Sequence, residues 1–261
     1  MASLPLAALL AATIAVLGWR FAALTAAGAI AAAAVGTAVL WGTGWAGGAA
    51  LLSFFLSSSL VSRITEHATP SWVDARGNRR DSVQVLANGG IALLGGLWAR
   101  HDPSGGLAVV AGSLAAAAAD TWATSLGSLS RKPPRLIHTG RPVSHGTSGG
   151  VSLPGTLGGL AGAVLVAGST GWMAGSVDLS WLATAVGFAG MMADSLLGAT
   201  LQGRFRCAHC AQPSERHRHR CGARTERVGG VPWIGNDTVN LIATALAGLA
   251  GWLGASWLVG F

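Results

Sequence analysis

Charged residues are scarce in this chain. Asp, Glu, Lys and Arg make up 10% of its 261 residues, whereas hydrophobic residues make up 51% and the mean hydropathy is +0.51. Soluble domains carry about 25% charged residues. A chain with only 10% has too few charged side chains to cover a surface that faces water. The composition therefore excludes an ordinary soluble protein and predicts one that crosses a membrane several times.

Strand patterns are absent as well. The apolar segments lack the alternation that a β-barrel strand needs, and only helices or closed barrels satisfy the backbone within hydrocarbon. The 39 glycines and many alanines favour close helix packing, since lipid gives helices no hydrophobic reason to associate. We therefore predict an all-α fold, a polytopic transmembrane helical bundle of about seven to eight helices, forming a single integral-membrane domain over 1–261.

Apolar stretches of about 17 to 25 residues, the length that crosses a bilayer, define the predicted spans. They lie near residues 3–19, 21–43, 46–62, 82–99, 105–125, 151–173, 181–201 and 234–258. The boundary at Arg20 has little turn-forming sequence. The first two stretches could instead be one span and a re-entrant segment, leaving one span fewer.

Basic residues lie almost entirely in alternate loops. All but one of the 17 Lys and Arg residues follow the first, third, fifth and seventh spans, and Arg100 is the exception. Cytoplasmic loops are enriched in Lys and Arg, so we predict that these loops face the cytoplasm and that the protein lies in the cell (inner) membrane. Topology and anionic membrane lipids account for the net charge of +7, so we expect no nucleic-acid partner.

Two carboxylates interrupt apolar segments. Asp120 lies in AAAAADTWATSLG and Asp194 in GMMADSLLGATLQ, both toward the predicted cytoplasmic ends of their helices. An anion there opposes the helix dipole, at a cost of about 0.3–1 kcal/mol, and burial at depth adds about 2.5 kcal/mol or more. A cation should compensate, either an Arg or Lys side chain or a bound Mg²⁺, which accepts carboxylate oxygens together with phosphates and water.

Two other acidic residues precede helices. Asp81, with Gln84 three residues later, and Asp237, followed by Asn240, stand where an N-cap side chain would accept backbone N–H groups. Our first interpretation of both is therefore helix capping.

The loop after the helix of Asp120 reads RKPPRLIHTGRPVSHGTSGGVSLPG. It lacks the G-x-x-x-x-G-K-[ST] pattern, which excludes a soluble P-loop. Its glycines would let backbone N–H groups face an anion, and the next helix would present its positive N-terminus. A glycine-rich turn without a ligand is the alternative, but beside two inward-facing aspartates the loop favours phosphate binding.

Cysteine is also rare. The three cysteines fall in CAHCAQPSERHRHRCG, at Cys207, Cys210 and Cys221, with His219 or His217 as a fourth ligand. This spacing predicts a structural Zn²⁺ site, for which we choose His219, in a cytoplasmic loop over residues 202–232. A reducing cytoplasm argues against disulfides, and free thiols are the alternative.

Five motifs resemble one known family. RRDSVQVLANGG, AADTW, PRLIHTGRPVSHGTSGGVSLPGTLG, DSLLGATLQ and NDTVNL occur in the order and spacing of an integral-membrane family catalogued as a domain of unknown function, which includes transmembrane protein nineteen and the chloroplast phytyl-phosphate kinase. The resemblance extends from about residue 20 over nearly the whole chain. It implies a Mg²⁺-dependent kinase that adds a second phosphate to a prenyl monophosphate, an isoprenoid lipid phosphate, from CTP or another nucleotide.

In such an enzyme Asp120 and Asp194 would hold Mg²⁺, and Asp237 would be a further catalytic carboxylate. The residues expected to bind the substrates are Arg80, Asn88, Lys132, Arg135, Arg141, His145, Ser148, Gly149 and Gly150. Asn88, which is polar at lipid depth, could instead make an interhelical hydrogen bond.

The chain departs from the family pattern at two positions. Ser125 stands where members often have Glu, and Gly235 where an acidic residue is common, so Asp237 would replace one lost carboxylate. A divergent transporter or a lipid-binding protein is therefore the alternative function. A transporter would place its buried acids near the bilayer midplane, and a lipid-binding protein would not need Asp120 and Asp194.

Overall fold

A computed structural model describes residues 2–68, 79–214, 218–219 and 221–257. In this part of the chain seven α-helices account for most residues, and short strands occur only in the loops. The helices are α1 (Leu4–Arg20), α2 (Ala26–Thr65), α3 (Ser82–Trp98), α4 (Pro103–Gly127), α5 (Leu153–Ala174), α6 (Val177–Thr200) and α7 (Asn236–Ala255). The predicted all-α bundle of seven to eight helices is confirmed.

Helix α2 is a helical hairpin. Gly44 has φ 62° and ψ −147°, a backbone conformation that is open essentially only to glycine. A Cβ placed on Gly36 would lie 3.6 Å from the side chain of Leu51, although fifteen residues of straight helix would separate them by about 22 Å. The two arms therefore run antiparallel, and they correspond to the separate spans predicted over 21–43 and 46–62.

The structure also resolves the boundary at Arg20. Helix α1 ends there, and Ala22, at φ 57°, turns the chain before α2 begins at Ala26. Five helices, α2 and α4 to α7, are long and apolar enough to cross a membrane, whereas α1 and α3 are shorter apolar helices. Together with the second arm of α2, they give eight apolar segments.

Helix starts test the two capping predictions. Asp81 caps α3 as predicted, because its carboxylate accepts the N–H of Gln84 at 2.9 Å and the Gln84 side chain accepts the N–H of Asp81 at 3.2 Å. Capping by Asp237 is wrong. Gly235 occupies the N-cap of α7 without a side-chain hydrogen bond, and Asp237 lies within the first turn, where a carboxylate still favours the helix dipole.

Helix α4 lies at the centre of the bundle and packs against α2, α3, α5, α6 and α7. Residues 115–119, all alanine, are at most 2% exposed. A Cβ on Gly162 of α5 would lie 3.0 Å from the carbonyl oxygen of Ala118, and one on Gly187 of α6 would overlap Ala115. Small residues thus bring the backbones together, and this close packing fixes where Asp120 and Asp194 stand.

The loops that carry most of the basic residues meet at one end of the bundle, which we call the loop face (residues 20–25, 79–81, 128–152, 201–214, 218–219 and 221–235). Thr25 donates its N–H to the carbonyl of Arg80 at 3.0 Å, and Arg80 donates to Ala23 at 2.9 Å. The strands lie here too. They are β1 (Arg135–Leu136), β2 (Gly150–Val151), β3 (Arg204–Cys207), β4 (Pro213–Ser214) and β5 (Thr225–Gly229), paired antiparallel as β1-β2 and β4-β3-β5.

Candidate functional site

A polar cavity of about 330 Å³ opens among the helix ends at the loop face. The C-terminal halves of α4 and α6, the N-termini of α3, α5 and α7, and the loop before α5 surround it. Its polar lining includes Gln84, Asp120, Thr124, Ser128, His145, Thr147, Ser148, Ser152, Thr156, Asp194, Ser195, Gln202 and Asn236. The structure therefore brings together Asp120, Asp194 and the glycine-rich loop, as their common side in the sequence predicts.

The two carboxylates lie inside the helix ends rather than at them. Asp120 precedes the end of α4 at Gly127, and Asp194 the end of α6 at Thr200, by about 10 Å each at 1.5 Å per residue. Asp194 is only 9% exposed. The carboxylates are near enough to repel each other, and no cationic side chain of the described segments pairs with either one. A side-chain salt bridge, one of the two compensations considered above, is therefore not found in those segments.

Two asparagine side chains lie beside this acidic pair. In the orientation that its surroundings require, the amide of Asn240 donates to Asp194 Oδ2 at 2.9 Å and to the Asn236 carbonyl at 3.2 Å. Asn88, Asn240 and both aspartates line one narrow cleft. Asn88 donates to the Gln84 carbonyl of its own helix at 3.0 Å, so the predicted alternative of an interhelical bond is not found, and its buried Oδ1 has no partner within the described residues.

The glycine-rich loop forms one wall of the polar cavity. His145, Ser148, Gly149 and Gly150 all line it, as predicted. Gly149, at φ +77°, passes so close to Ala199 of α6 that a Cβ would overlap it. His145 Nε2 lies 2.9 Å from the Ser130 carbonyl oxygen, which ties the loop to the end of α4.

The N-terminus of α5 follows this loop and borders the cavity. Gly155 and Thr156, in the first turn of α5, are among the lining residues, and the Ser152 side chain accepts the N–H of Gly155 at 3.3 Å. The positive end of the helix dipole therefore faces the same space as the two carboxylates.

Three of the four basic residues predicted to bind phosphate are exposed on the loop face and do not line the polar cavity. Lys132, Arg135 and Arg141 are exposed and line neither this cavity nor the apolar one described below. Arg135 instead donates to the Gly140 carbonyl at 2.8 Å. These three side chains lie outside the lining of the polar cavity, so their predicted role as phosphate ligands stays a prediction without support from their position.

An apolar cavity of about 350 Å³ adjoins the polar one. It lies between α1, the two arms of α2 and α3, and small residues such as Gly36, Gly48 and Ala49 leave the space. Its lining on the second arm of α2 extends from Trp45 to Phe55, about 15 Å along the helix. The cavity thus reaches from the loop face deep into the bundle.

Three polar residues stand in the lining of the apolar cavity. They are Arg80, Gln84 and Asn88. Arg80 is half-buried, with its guanidinium 5.3 Å from the centre of the Phe54 ring. Burial lowers the pKa of Arg80 to about 10, so the side chain stays charged at neutral pH. Gln84 lines both cavities, and Asn88, one turn further along α3, lines the apolar cavity and the acidic cleft.

The two positions that depart from the family pattern, Ser125 and Gly235, lie outside the lining of the polar cavity. Ser125 Oγ is 3.4 Å from Ser62 Oγ of α2, and Ser125 is not among the cavity's lining residues. Gly235 is exposed, and neither it nor Asp237 is part of the lining. The predicted catalytic role of Asp237 therefore has no support from its position.

Sequence reasoning missed the apolar cavity and several polar contacts. Asn236, Asn240 and Thr244 recur every four residues along α7, and that spacing on an apolar helix marks a polar face that could have been found. Thr244 donates to the Ala87 carbonyl at 3.2 Å, which connects this face to α3.

The four predicted zinc ligands do come together, away from both cavities. Sγ of Cys207, Cys210 and Cys221 and a ring nitrogen of His219 lie within 4.8 Å of one another beside the β4-β3-β5 sheet. His217, the alternative ligand, is outside the described residues.

Comparison with known proteins identifies the family. The family model described as "Integral membrane protein DUF92" matches residues 9–248. The chain belongs to this family. An uncharacterized membrane protein of Methanocaldococcus jannaschii is 33% identical over 77% of this chain and 73% of its own. The Arabidopsis thaliana protein named Protein PGR is 32% identical over 76% of this chain and 78% of its own.

A third relative is less similar to this chain. An uncharacterized membrane protein of Synechocystis is 27% identical over 80% of this chain and 74% of its own. No solved structure matches the chain. The family resemblance predicted from the five motifs is confirmed, and the protein is an integral, multi-pass membrane protein.

Proposed function

We propose that this DUF92 protein is a membrane lipid kinase that transfers a phosphoryl group from CTP or another nucleoside triphosphate to a prenyl, phytyl-like monophosphate in a Mg²⁺-dependent reaction. The observation that carries the proposal is the pair of adjoining cavities, one apolar and about 15 Å long on one wall, the other lined by two carboxylates without a cationic partner in the described residues. By the positive-inside rule, the loop face is cytoplasmic, where nucleotides are available.

The apolar cavity suits the hydrocarbon chain of the substrate. Specific ligand sites are largely apolar with a few placed polar groups, and here those groups are Arg80, Gln84 and Asn88. A charged guanidinium binds a phosphate with short, strong hydrogen bonds. A lipid whose chain fills the cavity would present its phosphate to Arg80, beside the polar cavity.

Mg²⁺ fits the donors of the polar cavity. Asp120 and Asp194 offer hard carboxylate oxygens, which Mg²⁺ prefers, and Mg²⁺ sites commonly use one or two carboxylates together with phosphates and water. The lack of a paired cation in the described segments and the unpartnered Asn88 Oδ1 are consistent with a cationic ligand there. Bound at these residues, Mg²⁺ would neutralise charge on the transferring phosphates.

Phosphoryl transfer needs little acid–base help in this reaction. An oxygen of the lipid monophosphate attacks the γ-phosphorus, the bond to the β-phosphate oxygen breaks, and the nucleoside diphosphate leaves. The nucleophile is already an anion, so positioning and charge stabilisation carry the catalysis. Arg80 would orient the lipid phosphate, while Ser148, His145 and the N-terminus of α5 would border the nucleotide phosphates.

The position of the carboxylates favours a kinase over a transporter. A transporter's site is expected at the midplane between broken helices. Here the described α4 and α6 are continuous through Asp120 and Asp194, and the cavity beside these residues opens at the loop face.

The test uses the purified full-length protein in detergent with γ-labelled CTP, ATP, GTP or UTP and a panel of prenyl monophosphates. We expect Mg²⁺-dependent formation of a labelled prenyl diphosphate, abolished by EDTA and restored by excess Mg²⁺. Absence of transfer for every donor and acceptor, from protein that binds prenyl phosphate and melts cooperatively, would show that it is a lipid-binding protein instead.

A further inference from the structure

We infer that the loop between α6 and α7 holds a Zn²⁺ ion through Sγ of Cys207, Cys210 and Cys221 and Nδ1 of His219. The four donor atoms lie within 4.8 Å of one another. This site is separate from the cavities of the proposed kinase and does not depend on that function.

The distances match a tetrahedral zinc centre. With Zn–S near about 2.3 Å and Zn–N near about 2.0 Å, two sulfurs should be about 3.7 Å apart and a sulfur and a nitrogen about 3.5 Å apart. In the structure, Cys207 Sγ and Cys221 Sγ are 3.5 Å apart, and His219 Nδ1 lies 3.4 Å from Cys210 Sγ and 3.1 Å from Cys221 Sγ. Converging donors at these separations leave room for one small ion.

The backbone prepares the first two ligands. Cys207 ends β3, and Ala211, at φ 58°, turns the chain back so that the Cys207 N–H donates to the Gln212 carbonyl at 2.9 Å. The backbone N–H of Cys210, and more weakly that of His209, donates toward the Cys207 sulfur and stabilises its thiolate form. A sulfur stabilised as thiolate is the form that binds zinc.

The other two ligands come from a second tight turn. His219 accepts the N–H of Gly222 at 2.9 Å and donates its own N–H to Ala223 at 3.0 Å. His219 is 5% exposed, although it lies in a polar loop. A buried imidazole and three cysteine sulfurs at one point are better explained by a metal than by a disulfide, because a disulfide would use only two of the four groups.

The proposed ion is structural. Four protein ligands close a zinc site, whereas catalytic sites keep one position open. The base of the loop is held by its own bonds, since Gly203 donates to Ile234 at 2.9 Å and Val231 to Leu201 at 2.9 Å. Loss of zinc should therefore loosen the outer part of the loop and leave the helices and cavities in place.

Metal analysis tests the site directly. Protein purified under reducing conditions without chelators should contain about one zinc per chain. Cys210→Ser and Cys221→Ser should lose most of it. His209→Ala, which removes an exposed imidazole between two of the ligands, should keep it. Zinc below a tenth of the chain concentration in the wild type, or unchanged zinc in both cysteine variants, would overturn the inference.

Two further readouts separate zinc from the alternatives. Co²⁺ exchanged into the site should give the visible absorption of tetrahedral cobalt with thiolate ligands, and a disulfide would instead appear as loss of two hydrogens in the intact mass. Trypsin should cut at Arg206 or Arg224 faster after chelation, while the detergent-solubilised helices stay intact. Equal cleavage with and without zinc would contradict a folding role for the ion.

Discussion

The two cavities are nearly equal in size but opposite in lining, and they come from different parts of the chain. The apolar cavity is formed mainly by α1, α2 and α3, whereas the polar one is formed mainly by α4 to α7 and the glycine-rich loop. Among the helices that the structure describes, α3 alone contributes polar side chains to both, through Gln84 and, at the acidic cleft, Asn88. The division suits an amphiphile, with one part of the fold for its chain and another for its charge.

Each of the two cavities makes an unfavourable contribution to the stability of the helical bundle. Small residues line the apolar cavity, so the helices around it make fewer packing contacts with one another, and the polar cavity holds two mutually repelling carboxylates. Neither arrangement stabilises the bundle by itself. In the proposed function, a bound ligand with a long chain, phosphates and a cation would offset both costs, so changes on either side should affect ligand binding more than folding.

The largest effect is expected from Asp120→Asn. The change keeps the shape of the side chain and removes the charge that would hold Mg²⁺, so transfer should fall by about 100-fold or more. Stability should hold or rise, since the change removes a buried charge and its repulsion with Asp194. Specific activity and melting temperature are measured on one preparation.

Asp178→Asn is the matched control for Asp120→Asn, because Asp178 is an exposed carboxylate in the first turn of α6 at the opposite end. It should retain full activity. An Asp120→Asn variant that is less stable but equally active per folded molecule would mean that Asp120 only supports the structure.

Arg80→Gln should weaken binding of the lipid phosphate. A hydrogen bond to a charged group contributes about 1.5–3 kcal/mol, so the KM for prenyl monophosphate should rise about 10- to 100-fold. The KM for the nucleotide should change little. Arg100→Gln is the control, since Arg100 likewise stands over an aromatic ring, 5.1 Å from Trp41, but outside both cavities. Equal KM changes in both variants would show that Arg80 does not bind the lipid phosphate.

Ala49→Phe should shorten the preferred substrate. Ala49 lines the apolar cavity, and the added ring would occupy space that the proposal gives to the lipid chain. We expect the kcat/KM ratio of long to short prenyl phosphates to fall about tenfold, because excluding about two methylenes forfeits about 0.8 kcal/mol for each. Leu246→Phe, at a 47% exposed position of α7, is the control. An unchanged ratio would mean that the lipid chain does not bind in the apolar cavity.

Ser125→Glu should have the smallest effect. It restores the residue that the family resemblance implies, but Ser125 faces Ser62 of α2 rather than the polar cavity. Activity should therefore stay within about twofold, a barrier change below about 0.5 kcal/mol. A large gain in Mg²⁺-dependent turnover would show that the acidic site extends to this helix face.

Much of the polar side could be predicted from the sequence. Carboxylates such as Asp120 and Asp194 are easily recognised in apolar segments. The alternation of basic loops predicts that both lie toward the same end of the bundle. The capping box of Asp81 and Gln84 follows a local rule and is confirmed. The predicted N-cap at Asp237 is wrong, because α7 begins at Asn236 and its N-cap is Gly235.

The apolar side could not be predicted in the same way. The cavity is lined by small residues on both arms of the α2 hairpin, Gly36 on the first and Gly48 and Ala49 on the second, and small residues in apolar helices are equally typical of close packing. The exposed positions of Arg135 and Arg141 could not be predicted either, because the strands β1 and β2 in this loop have two residues each and are too short for a sequence pattern to reveal.

The most direct test of the account is photolabelling with a prenyl monophosphate that carries a diazirine near the end of its chain. Labelled peptides should come from α1 and the two arms of α2, around Ala15, Gly36 and Ala49, and excess unlabelled prenyl monophosphate should suppress the labelling. Labelling confined to the exposed surfaces of α5 to α7, or labelling that competitor leaves unchanged, would contradict a shared site for the lipid chain and its phosphate.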